Sequence, residues 1–171
     1  MTDARARAST RNAIFVKAPP DALYRAFTEP AALATWRAPG DMTGVVHQFD
    51  LRVGGGYQMS LYYPASESTA RGKTAAKEDR YTAQFMDLTP PRRIVEAITF
   101  DSADPAFAGE MRMEVTFAAE ADGTTVWLVF TEIPPGIRPE DNETGTRLAL
   151  EKLARYVEQG PVAPAETARR S

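Results

Sequence analysis

Apolar and polar residues alternate through most of this chain, and a helical rhythm interrupts the alternation near its start and near its end. Asn12 to Lys17 alternates around Ile14 and Val16 and predicts a first strand. Pro19-Pro20 ends it. Proline is accepted in a first helical turn, so a short helix is expected from Pro20 to Phe27, with Leu23 and Phe27 on one face. Glu29-Pro30 opens a second short helix carrying Leu33 and Trp36, and Pro39-Gly40 closes it. Strands then dominate. Thr43–Val53 and Tyr57–Tyr63 are joined through Gly54-Gly55-Gly56. Asp79–Leu88 and Arg93–Phe100 flank Thr89-Pro90-Pro91, and Glu110–Phe117 and Thr124–Glu132 flank Ala121-Asp122-Gly123. Residues 64–77 read as a mobile hairpin loop and residues 101–109 as a further loop.

The last periodic segment is helical and stops at Gly160-Pro161. Projected at about 100° per residue, it gathers Asn142, Gly145, Thr146, Ala149, Leu150, Leu153, Tyr156 and Val157 into one stripe. Arg147, Glu151, Arg155 and Glu158 fall opposite, with Glu151 and Arg155 spaced for a solvent-side ion pair. The C-terminal half of the stripe is bulky and can fill a core. The N-terminal half, Asn142, Gly145 and Ala149, is small or polar and leaves space against whatever it faces. Successive hairpins imply one antiparallel sheet. The class is therefore α+β: a curved antiparallel sheet of about six or seven strands wrapped around a long C-terminal helix, with two short helices after the first strand. Residues 1–10 read as a flexible N-terminus, 11–160 as the domain, and the Pro/Ala-rich 161–171 as a disordered tail.

Composition narrows the function classes. A length of 171 residues with 43% hydrophobic and 25% charged residues suits one domain with a sizeable core. A net charge of −3 argues against a general nucleic-acid binder, which needs a basic surface to neutralise phosphates. The absence of cysteine excludes disulfides, thiolate nucleophiles and cysteine-ligated metals. The first residues lack an apolar signal-peptide core, and no apolar run approaches the roughly 20 residues needed to span a bilayer. A cytoplasmic protein is expected.

Candidate chemistry is sparse. Gly54-Gly55-Gly56 precedes a strand rather than a helix, so it reads as a bend and not as a phosphate cradle. Gly72-Lys73-Thr74 resembles the end of a nucleotide-binding loop, but Glu67 stands where that loop needs glycine. His47 is the sole histidine, with no metal-ligand spacing and no nucleophile motif around it; alternation puts it with Val45, Phe49 and Leu51 as a wall or core residue. No metal and no cofactor are expected. Glu132 falls by alternation on the face of Val126, Leu128 and Phe130, near Asn142, where it would be either solvated or hydrogen-bonded to that amide. Glu96 shares a face with Ile94, Ile98 and Phe100. Trp127, Val129 and Leu148 fall on outer faces and would suit a homodimer interface, unless the chain's own ends cover them.

Four segments together carry a family likeness. Phe49-Asp-Leu-Arg-Val-Gly-Gly-Gly-Tyr57 resembles the strand-bend-strand signature of the START-like (SRPBCC) superfamily, in the branch related to the C-terminal domain of the activator of the Hsp90 ATPase. Thr28-Glu29-Pro30 with Leu33 and Trp36 is similar to its helix pair, Phe85 to Val95 to its central hairpin, and Thr131 to Gly145 to the approach to its last helix. The likeness covers about residues 11–159. Where members often carry a glycine, this chain has Ala83, and a tryptophan common before the glycine of the last helix is missing. The resemblance implies the helix-grip fold, with a cavity between sheet and helix for a small, largely hydrophobic molecule. It supplies no universal catalytic residue.

Three readings stay open. In the first, the cavity binds a small hydrophobic ligand and is lined by Phe27, Trp36, Phe49, Tyr57, Phe85, Met111, Met113, Leu128, Phe130 and Tyr156, with Glu132, Asn142, Gly145 and Ala149 at its polar end. In the second, the protein is an enzyme of cyclase, aromatase or hydrolase type, with Glu132, Glu96 or His47 as the acid or base. The third is a co-chaperone-like protein-binding domain, which rests on the family analogy alone.

Overall fold

A computed structural model describes residues 7–64 and 78–159. The chain runs β1 (Ala8–Val16), α1 (Pro20–Thr28), α2 (Pro30–Trp36), β2 (Thr43–Asp50), β3 (Gly56–Tyr62), β4 (Glu78–Thr89), β5 (Arg93–Phe100), β6 (Met111–Glu120), β7 (Gly123–Ile133) and α3 (Pro139–Gln159). A short 3-10 turn, Pro105–Phe107, lies before β6. The element order is the expected one, with β1 starting at Ala8 inside the stretch read as flexible. The loop expected over 64–77 and the tail expected over 161–171 fall almost entirely outside the described residues.

All seven strands form one antiparallel sheet in the order β1-β7-β6-β5-β4-β3-β2. Each strand from β2 to β7 pairs with its neighbour in sequence, as hairpins dictate. The exception is β1, which crosses to the far edge and pairs with β7, Ile14 opposite Val126 and Val16 opposite Thr124. Alternation buries one face: Met111, Met113, Val115 and Phe117 of β6 are buried, as are Val126, Leu128 and Phe130 of β7.

α1 and α2 start on prolines at their first turns and pack against each other beside the sheet. Phe27 meets Trp36 edge-on at 4.6 Å and Phe117 at 5.5 Å, while the Trp36 indole N–H donates to the carbonyl of Ala26 at 2.8 Å. This aromatic knot fills the core beneath the two short helices, and such pairs add about 0.5–1.5 kcal/mol beyond the area they bury. The long helix α3 approaches the sheet most closely along β1 and also touches α2 and α1. Side chains stitch it to β1: Thr10 to the amide oxygen of Asn142, Asn12 Nδ2 to the carbonyl of Glu143 at 3.3 Å, and the backbone N–H of Lys17 to Glu158 at 2.9 Å. Its buried residues are Thr146, Ala149, Leu150 and Leu153, as the helical projection requires. The surface ion pair differs from the expectation: Glu151 pairs with Arg147 at 3.4 Å instead of Arg155.

Candidate functional site

A cavity of about 440 Å³ lies under the N-terminal half of α3, a size usual for small-molecule sites. Because α3 leans on β1, the inner face of the central strands is left open below Asn142, Gly145 and Thr146. Ile98, Phe100, Met111 and Phe130 supply the apolar wall of the sheet, Phe107 and Ile137 close the side, and Pro39 and Met42 form the rim on the loop after α2. Gly145 is part of the reason the space exists. A Cβ at this position would meet only Pro39, at 3.8 Å, which is ordinary contact. Close packing therefore does not demand a glycine here, although glycine inside a helix costs about 1 kcal/mol relative to alanine.

Lys152, two turns further along α3, fixes the rim. Its ammonium donates to the carbonyls of Ala38 at 2.6 Å, Gly40 at 3.2 Å and Met42 at 3.4 Å. Burial and the nearby Arg155 charge hold its pKa below the ordinary lysine value, with Asp41 acting the other way.

A buried polar cluster lies beside the cavity. Arg37, at the end of α2, and Tyr81 of β4 face the cavity itself. The Arg37 guanidinium lies over the Tyr81 ring, 5.9 Å from its centre, and donates to the sulfur of Met113 at 3.8 Å, while its Nε is buried without a partner. Glu96 of β5 is fully buried. The Tyr57 hydroxyl donates to its Oε1 at 2.8 Å, and Oε2 has no partner. Burial pushes the Glu96 carboxyl up to about 7, against the pull of the Tyr57 hydrogen bond and the Arg37 charge. The Tyr57 and Tyr81 hydroxyls are both raised, in each case chiefly by burial. Asp79, a second buried carboxylate, is on the cavity wall and accepts the Tyr63 hydroxyl at 3.2 Å.

The fold has clear relatives. Residues 17–158 match the family model described as activator of Hsp90 ATPase homolog 1-like protein. The chain belongs to that family. A crystal structure of a Chromobacterium violaceum protein is similar at 32% identity over 88% of this chain and 96% of that one, with a TM-score of 0.78. The solution structure of an Arthrobacter aurescens protein shares the fold at 16% identity, covering 93% and 94% of the two chains, TM-score 0.74. That of an AHSA1-like protein from Aeromonas hydrophila shares it at 22% identity, covering 89% and 93%, TM-score 0.66. No curated protein matches the chain.

Within this AHSA1-like domain the residues expected from sequence separate into groups. Met111, Phe130, Asn142 and Gly145 do reach the cavity wall. Phe27, Trp36, Phe85, Met113, Leu128 and Ala149 are core residues outside that wall, and Phe49 stacks on Tyr57 at 5.7 Å. Tyr156 is half-buried on the last turns of α3, away from the opening. Glu132 departs from its expected face. It has φ of 58° beside an irregularity in the β1–β7 register, so the strand's parity breaks and Glu132 turns to solvent while Ile133 goes inside. Asn142 consequently meets Thr10 and not Glu132. His47 departs for the same reason: a register shift between Val46 and Gln48 leaves it exposed, with Gly44, Val46 and Phe49 the half-buried residues of β2.

A serine does stand beside His47, at 2.8 Å from Nε2, but Ser60 is fully buried and its hydroxyl donates to Glu78 at 2.6 Å. In the order His–Ser–Glu the carboxylate holds the serine and does not orient the imidazole, unlike a triad, where histidine stands in the middle. Among the described residues no cluster of His, Cys, Asp and Glu could hold a metal ion, and no helix is long and apolar enough to cross a membrane. On the outer face, Trp127 is partly covered by the Arg11 guanidinium, 4.4 Å from the ring centre. Leu148 lies beside Gly40 of the rim loop.

Sequence reasoning missed Arg37, Asp79 and Tyr81. The alternation of Asp79, Tyr81, Ala83 and Phe85 along β4 could have placed the latter two, since that face is buried throughout. Arg37 carries no such signal, because it follows the last residue of a seven-residue helix.

Proposed function

We propose that this protein binds a small, largely apolar molecule in the cavity under the N-terminal half of α3. The observation that carries the reading is the 440 Å³ space kept open beneath a helix glycine that packing does not require. The wall of Ile98, Phe100, Met111 and Phe130 would bury an aromatic or aliphatic body, and Asn142, Thr146 and Arg37 offer polar groups to orient it. The family's fold is consistent with such a role and leaves the ligand open.

A fluorescence titration with an environment-sensitive naphthalene probe tests it. Saturable binding is expected, and Gly145→Phe, which projects a ring into the cavity, should abolish it while the far-ultraviolet circular dichroism stays unchanged. Unaltered binding to the folded variant would move the site elsewhere. Native mass spectrometry of protein purified from its own host would then supply the natural occupant.

A further inference from the structure

Among the described residues, Arg37 is the cationic side chain on the inner part of the cavity wall; it is half-buried, with its Nε enclosed. The other arginine on the wall, Arg138, is exposed at the rim. A guanidinium taken out of water is ordinarily matched by a carboxylate that receives its planar pair of N–H groups. Among the described residues Arg37 forms no ion pair. Its Nε is buried and unpartnered, its guanidinium donates to the Met113 sulfur, and Tyr81, Tyr57 and Glu96 stand around it. A buried donor left unmatched beside an open cavity marks the position of a missing acceptor.

We propose that the ligand is an organic acid, its carboxylate received by Arg37 and its apolar body lying on the sheet wall. This rests on the small-molecule reading of the cavity and adds the chemical class. The ionisable groups facing this point are Tyr57, Tyr81 and Asp79 from β3 and β4, Glu96 from β5, and Asp141 and Arg138 from the start of α3 and the turn before it. Asp79 is already engaged. It takes the Tyr63 hydroxyl and sits one inward position from Tyr81, about 7 Å along the strand. Asp141 is exposed at the rim. Glu96 is the group that responds. Protonated, it leaves the Arg37 charge free for an incoming carboxylate; ionised, it neutralises that charge and repels the ligand. Burial keeps it protonated up to about 7, so binding of the acid takes up a proton as the pH rises past that point.

The test compares three matched probes with the full-length protein: naphthylacetate, naphthylacetamide and naphthylethanol. The acid should bind at least about tenfold more tightly than the amide or the alcohol near pH 6, as charge-assisted hydrogen bonds exceed neutral ones. Its advantage should shrink near pH 8, while the two neutral probes bind alike at both. Arg37→Gln should abolish the acid's advantage, so that acid and amide bind the variant with equal affinity. Equal affinity of acid and amide for the wild-type protein overturns the proposal and leaves the cavity reading intact, whatever the folding of the variant. Failure of all three probes to bind overturns both.

Discussion

Glu96 allows a quantitative prediction about stability. Its carboxyl is buried, receives a single hydrogen bond from Tyr57, and has its pKa raised from 4.5 to about 7. At low pH the group is protonated in the folded and the unfolded chain and contributes no pH dependence. As pH rises above 4.5 the unfolded chain releases its proton while the folded protein keeps it, so the unfolded state gains and stability falls. Once the pH passes about 7 the folded carboxyl ionises too, and the loss levels off. The shift of about 2.5 units at roughly 1.4 kcal/mol each gives a total of about 3 kcal/mol. Glu96→Gln keeps the shape and an acceptor for the Tyr57 hydroxyl but cannot ionise. Urea unfolding of both proteins between about pH 4 and pH 8 should therefore give curves that diverge, with the variant gaining about 3 kcal/mol on the wild type over the range. Other carboxylates cancel in that difference. Curves that run parallel would refute the assignment of a buried, proton-holding Glu96. Tyr57→Phe should move the wild-type step to higher pH, because it removes a hydrogen bond that favours the ionised form.

Three further substitutions probe the frame around the cavity. Gly145→Ala should raise stability by about 1 kcal/mol in thermal or urea unfolding, since helix propensity improves and the new methyl meets only ordinary contact, while the affinity of a bulky probe falls. Gly56→Ala should destabilise by at least about 2 kcal/mol, because its Cβ would lie 1.9 Å from the carbonyl oxygen of Ala83 on the neighbouring strand, and β3 could not keep its register with β4. Lys152→Met should cost about 1–2 kcal/mol and accelerate amide exchange in residues 38–42, which lose the ammonium that holds their carbonyls.

The regular parts of the fold could be read from the chain because each hairpin carries its own period and turn chemistry. β5 begins where alternation and Pro90-Pro91 place it, and the stripe of α3 buries Ala149, Leu150 and Leu153 as projected. Reading failed where counting by twos met an extra residue. The irregularities at Val46/Gln48 and Ala8/Thr10 shift the parity of β2 and of the end of β7, so His47 and Glu132 swap from inner to outer face. Nothing in the local sequence announces either break. The cavity's apolar wall was only partly legible for a different reason. Which inward residues touch space and which touch each other depends on where α3 lands across the sheet, and α3 leans toward β1. Arg37 was hidden by its position past a helix end, where no periodicity assigns a direction.

The pairing of β1 with β7 also orders events in time. β2 to β7 can assemble by successive hairpins as the chain leaves the ribosome. β1 emerges first, yet its partner appears only with Thr124–Ile133, and the helix that packs on it comes later still. The opening strand must therefore wait unpaired while the other six strands are made, with the edge of β7 uncovered until the two meet, and this long-range closure makes folding slow relative to its hairpins. The cavity does not exist before that step, so a ligand can stabilise only the assembled domain and offers its emerging strands no help.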